Sequence, residues 1–220
     1  MSERRIVALN NGGVDALSCG RFHEAILCFR HAVQCMKNYS ESCEVSSDNP
    51  KAAFSLRPTI LDCLSPDTLN MVSPSNKFEL YQCAFKLPSN PTTLSQPNEI
   101  LVVIIYNLAL SIHIDAVLER KEQQLDEALH YYNLAMAASN LNFSPQTTSQ
   151  TLVVLGCATN LGHIFSYFWK VPEAQACFDF IDDLLISIPQ GEDMLQEDCF
   201  FFYSVVAYGA AHNYHFAPAA

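Results

Sequence analysis

The chain has 220 residues, half of them apolar, and 12 Lys and Arg stand against 23 Asp and Glu, a formal charge of −11. That length and apolar content suit one domain with a sizeable core or a short array of stacked helices. The acidity repels phosphate backbones and anionic lipid alike, so neither nucleic acid nor a membrane surface is expected as a partner.

The start, "MSERRIVALN", lacks the apolar core of a secretory signal. The cysteines number nine, an odd count, and are scattered through helical-looking segments. Buried, reduced thiols and an intracellular, cytoplasmic setting are the expectation. From Ile6 to Lys37 apolar and small residues recur at helical spacing in two segments parted by "CGR", which predicts a helical hairpin.

Between residues 38 and 98 the composition turns to Ser, Pro and Asn. Long regular helices are not expected there. Two islands, "AFSLRPTIL" (Ala53–Leu61) and "FELYQCAFKL" (Phe78–Leu87), are strand-like, and predict a short β-hairpin or an extended segment lying on the helices. The insert as a whole is expected to drape outside the helices.

After Asn98 the helical period returns over Glu99–Glu122, Leu125–Ser139, Ser149–Phe168, Val171–Ser187 and Asp193–Ala211. The runs "ILVVIIYNLAL" (Ile100–Leu110) and "CFFFYSVVAYGAA" (Cys199–Ala211) are by themselves shorter than a bilayer span.

A repeat organises these helices. Glu-Ala recurs at Glu24-Ala25, Glu127-Ala128 and Glu173-Ala174; an aromatic follows each Ala by four residues (Phe29, Tyr132, Phe178), and Ala32, Ala135 and Ile181 follow by seven. Upstream stand "NGG" at Asn11, "NLA" at Asn107 and "NLG" at Asn160. From Asn to Glu is thirteen residues in the first and third units and twenty in the second. The seven extra residues are close to two helical turns, so they can lengthen the unit without rotating its faces. Each small residue after the Asn admits a neighbouring helix, and the Ala-aromatic-Ala face packs between neighbours. Each Glu is expected in the first turn of its helix, facing the dipole.

These units resemble the tetratricopeptide repeat, a helix-turn-helix of about 34 residues. The first and third match best; Gly12 replaces the family's large apolar residue, and no unit ends on the family's proline. The insert, the "YNLAL" helix and the final "FAPAA" are also similar to a diatom-type group of proteins.

The resemblance implies an all-α fold in a single domain, residues 1–220. It would be a right-handed stack of three helix pairs (about 6–37, 99–139 and 149–187), a closing helix (193–211) and the insert (38–98). It also implies a partner-binding groove lined by Asn10, Val14, Leu17, Tyr106, Leu110, His113, Thr159, His163 and Tyr167, none of them basic. An apolar or aromatic segment, from a partner or from this chain's own insert, suits such a groove better than an acidic tail.

The function expected is therefore protein–protein interaction as an adaptor or scaffold, with no catalytic residue, metal or cofactor. The alternative is a thiol- or metal-dependent regulatory or enzymatic protein. Cys28, His31 and Cys35 stand three and four apart, on one helical face with ligand chemistry for zinc. Yet Cys28 precedes Phe29 as Cys177 precedes Phe178, which marks both as packing residues. His212 and His215 in "HNYHF" read as part of an aromatic-rich terminus. The closing helix carries apolar residues around most of its girth, and its expected cover is "FELYQCAFKL" or, next, a second copy in a homodimer.

Overall fold

A computed structural model describes residues 3–40, 56–61, 78–88, 97–139, 148–188 and 200–207. Among these the protein is mostly helical. The helices are α1 (Glu3–Ser18), α2 (Phe22–Ser40), α3 (Pro97–Glu119), α4 (Glu122–Ala138), α5 (Thr148–Tyr167) and α6 (Val171–Ser187). Residues 200–207 form a short α7. The predicted closing helix was longer; its residues 193–199 and 208–211 lie outside the described residues.

From α1 to α6 each helix packs directly on the next in sequence, and α3 also touches α1 and α5. The repeat positions are the reason. Ala25, Phe29 and Ala32 in α2, Ala128, Tyr132 and Ala135 in α4, and Ala174, Phe178 and Ile181 in α6 are all buried. The seven-residue extension lengthens both helices of the middle pair. α3 runs twelve residues beyond Asn107 where α1 and α5 run seven beyond Asn11 and Asn160, and α4 begins six residues before Ala128 where α2 and α6 begin three before their alanines. Glu127 is thereby carried into the second turn, and Glu122 takes the first-turn place expected of it.

The three turns within the pairs share one geometry. Gly20, Arg120 and Trp169 each stand two residues before the second helix with φ of 71°, 53° and 57°. In each case the next N–H reaches back five residues, from Arg21 to Ala16, Lys121 to Ala116 and Lys170 to Phe165, at 2.8–2.9 Å. This left-handed closure satisfies carbonyls that the helix end would otherwise leave open.

α3 is the central helix, buried on almost every side, which is why "ILVVIIYNLAL" shows no polar stripe. At 23 residues it is long and apolar enough to cross a membrane, contrary to the expectation from its apolar run alone; here 89% of its apolar window is buried by the protein.

Two strands complete the fold. β1 (Arg57–Ile60) and β2 (Cys83–Lys86) pair antiparallel with Pro58 opposite Phe85. They fall in the two islands, but 22 residues separate them, so they are not a tight hairpin. Nor does this part of the insert drape outside. Phe78, Leu80, Tyr81, Cys83, Ala84, Phe85 and Leu87 are all buried, in contact with the helices. The remainder of the insert lies outside the described residues.

Candidate segment-binding groove

The segment 78–88 crosses the first helix of every pair, and one asparagine on each helix holds its main chain. Asn11 of α1 accepts from the Leu87 N–H and donates to the Leu87 carbonyl, both at 2.8 Å. Asn107 of α3 does the same to Phe85 at 2.9 and 2.8 Å. Asn160 of α5 does so to Tyr81 at 2.8 and 3.2 Å.

A carboxamide carries both an acceptor and a donor, so it matches the N–H and C=O of one residue as a neighbouring strand would. Asn10 adds a second donor to the Phe85 carbonyl at 3.0 Å and accepts from Asn107 at 2.9 Å. Tyr106 Oη donates to the Cys83 carbonyl at 2.9 Å. Residues 81, 83, 85 and 87 thus turn their polar groups to the helices, while Gln82 faces the other way and accepts from the Leu61 N–H. That alternation is the strand period. It also explains Pro58: opposite Phe85, its missing N–H falls where no ladder bond is made.

The side chains enter slots cut by glycines. The Phe78 ring stacks on Phe178 at 3.8 Å, and a Cβ at Gly162 would overlap it. A Cβ at Gly156 would lie 2.8 Å from Tyr81 Cδ1. The Tyr81 ring is covered in turn by Phe201 and Phe202 of α7, at 5.1 and 4.8 Å. The Tyr81 ring of the insert thus lies against the closing helix, on the side where such a cover was expected; Phe202 and Val205 are buried while Phe200 and Tyr203 are exposed.

Beneath Asn160 lies a buried imidazole pair. His113 Nε2 and His163 Nδ1 are 3.1 Å apart, His113 Nδ1 is 3.4 Å from the Tyr132 hydroxyl, and Asn160 Nδ2 donates to that hydroxyl at 3.0 Å. Burial pushes both imidazoles below their ordinary range, His163 to about 4, with the neighbouring His163 a second cause at His113. One ring donates and the other accepts, which neutral imidazoles can do and two imidazolium ions cannot. Burial likewise raises the phenols of Tyr106 and Tyr132.

Of the residues expected to line the groove, Asn10, Val14, Leu17, Tyr106, Leu110, His113, Thr159 and His163 are buried. Asn10 and Tyr106 touch the segment's main chain, and the two histidines touch each other. Thr159 Oγ1 has no hydrogen-bond partner among the described residues. Tyr167 is half-buried and donates to Glu122 at 3.1 Å. Asn11, Asn107 and Asn160, which the repeat marked only by their place ahead of each small residue, hold the segment's main chain; the signal was their recurrence at a fixed place in each unit.

The thiol and metal candidates do not converge. Cys28 is half-buried, His31 exposed and Cys35 buried, and among the described residues no three His, Cys, Asp or Glu are grouped to hold a metal ion. Burial, then Glu24, raises the Cys28 thiol, with Arg21 opposing, and burial lifts Cys177 to about 12. Thiols shifted upward are poor nucleophiles. His212 and His215 lie outside the described residues. Comparison with protein-family models, with curated proteins and with solved structures finds no match.

Proposed function

We propose that the protein is a helical-repeat adaptor of the tetratricopeptide kind, three right-handed helix pairs whose first helices bind an extended apolar polypeptide segment. The single observation that carries this is the row of three asparagines, one per pair, each gripping the main chain of one residue. Grip on the main chain gives affinity for any extended segment, and slots for alternate side chains give selectivity. The occupant seen is the chain's own. We place the protein in a reducing, cytoplasmic setting, which suits the buried thiols of Cys35, Cys157 and Cys177.

The test uses a chain whose own segment has lost two anchors, Tyr81→Ala with Phe85→Ala. A fluorescent peptide of residues 76–88 is titrated into it by anisotropy, helicity being checked by circular dichroism. Micromolar binding is expected, weakened at least tenfold when Asn107→Ala is added. A helical variant that ignores the peptide would sink the reading.

A further inference from the structure

We infer that residues 78–88 act as a built-in competitor, and that the protein's working ligand is a partner's extended segment that displaces them. This rests on the groove reading above and specifies what the groove admits. Three observations support it.

First, the helices from α1 to α6 each pack directly on the next, so the array does not depend on the segment to bring its members together. The segment is held in three ways: side-chain amides to its main chain, a four-residue pairing with β1, and apolar side chains seated between the helices, and a second extended segment of matching side chains could supply each of them.

Second, the contacts define the ligand. Large side chains enter at Phe78, Tyr81, Phe85 and Leu87, which places anchors at a first position and three, seven and nine residues later. The clamp takes an N–H from Tyr81, Phe85 and Leu87, so proline is excluded at those three places. A segment meeting both conditions replaces the clamp bonds and the four large anchors that the self-segment gives up.

Third, the self-segment is tethered, and tethering raises its effective concentration to roughly the millimolar range. A free segment at micromolar concentration must therefore bind about a thousandfold tighter to compete equally. The groove would reject weak apolar tails and admit a ligand only when it is better fitted than the chain's own.

The experiment reads the segment in the intact chain. Cys83 lies in β2, and Cys35 lies in α2, away from the clamp; both are buried. Site-resolved thiol labelling under native conditions should modify Cys83 before Cys35. An excess of the 76–88 peptide carrying Ser in place of Cys83 should raise the Cys83 rate at least threefold and leave Cys35 unchanged. The same peptide with proline in place of Phe85 should have no effect.

If Cys83 and Cys35 react together at the rate of global unfolding, with or without peptide, the segment is a permanent part of the core and the inference is overturned. The groove reading would survive that outcome, because its own test uses a chain already lacking anchors. Concentration-dependent dimers that label like the peptide-bound form would identify the occupant as a second copy, which also overturns the assignment to a separate partner.

Discussion

The first and third helix pairs carry the same small residue two places after the clamp asparagine and fill it differently. At Gly13 the ring of Phe29, from the pair's own second helix, closes in so far that a Cβ would lie 2.7 Å from it. At Gly162 the ring that closes in is Phe78, from the insert, and Phe178, the counterpart of Phe29, is stacked behind it. One repeat unit is therefore sealed by itself, while the other holds a slot one ring thick. A repeat position thus specifies a space without specifying who fills it.

Removing the two rings breaks that comparison most forcefully. Phe29 and Phe78 are both buried, and each truncation to alanine should cost about 3–5 kcal/mol. The consequences should differ in place. Phe29→Ala should loosen α1 against α2, whereas Phe78→Ala should leave that pair intact and raise amide exchange at Tyr81, Phe85 and Leu87. Hydrogen exchange resolved by residue distinguishes them, and equal loss across the whole chain in both variants would show that the segment and the helices are one cooperative unit.

Acid should separate the pairs next. His163 stands three residues after Asn160, where the first pair has Val14 after Asn11, and among the described residues the buried histidines lie in the second and third pairs. His163 is held down to about 4 and His113 is lowered too. An unfolded chain keeps its histidines near 6.5. Between those values the unfolded state binds more protons, so stability is complete above about pH 6.5 and falls as the pH drops toward 4. The slope is on the order of 1.4 kcal/mol per pH unit for each histidine. Denaturant melts across that window should show it, with α5 losing exchange protection before α1. His163→Gln should flatten the slope, and an unchanged slope would place the titrating group elsewhere.

The helical framework was legible because it repeats: Ala, an aromatic and then Ala or Ile at four and three residues mark one helix face, and all three copies are buried. Of the residues that the resemblance assigned to a groove, Asn10 and Tyr106 reach the segment's main chain. What lay between the helices was harder to read. Phe78–Leu87 pairs across 22 residues with β1 and across 76 with Asn11, and no local pattern encodes contacts at such separations. The meeting of His113 with His163, fifty residues apart, is hidden likewise. The role of the asparagines was hidden because a buried carboxamide packing a helix and one holding a strand look alike until the strand is placed. The turns were hidden by composition, since Arg120 and Trp169 occupy a conformation that glycine would have announced.

A smaller perturbation sharpens the comparison at one atom. Gly162→Ala and Gly13→Ala each add a single methyl into a filled space, at roughly 1–3 kcal/mol apiece. The partner in each case should show up by coupling. Combined with Phe78→Leu, the Gly162→Ala cost should shrink by about 0.5 kcal/mol or more, and combined with Phe178→Leu it should shrink less. For Gly13→Ala the compensating change is Phe29→Leu. Coupling of Gly162 to Phe178 alone would mean that the third pair is sealed like the first and that Phe78 does not fill the slot.

The smallest effect expected is at the turns, where the two pairs share a backbone and differ in side chain. Gly20 adopts its left-handed φ without a Cβ, so Gly20→Ala should lose about 1–2 kcal/mol. Trp169 carries the same conformation with a bulky side chain that is 72% exposed, and so little of its ring is packed that the strain is not repaid locally. Trp169→Gly should relieve it, but glycine also adds roughly 0.5–1 kcal/mol of unfolded-chain entropy, leaving a net gain below about 1 kcal/mol. Thermal melts of the two variants should therefore move in opposite directions. A Trp169→Gly variant that melts lower than the parent would show that the indole contributes contacts which its exposure conceals, and that the third turn is held by its side chain where the first is held by its backbone.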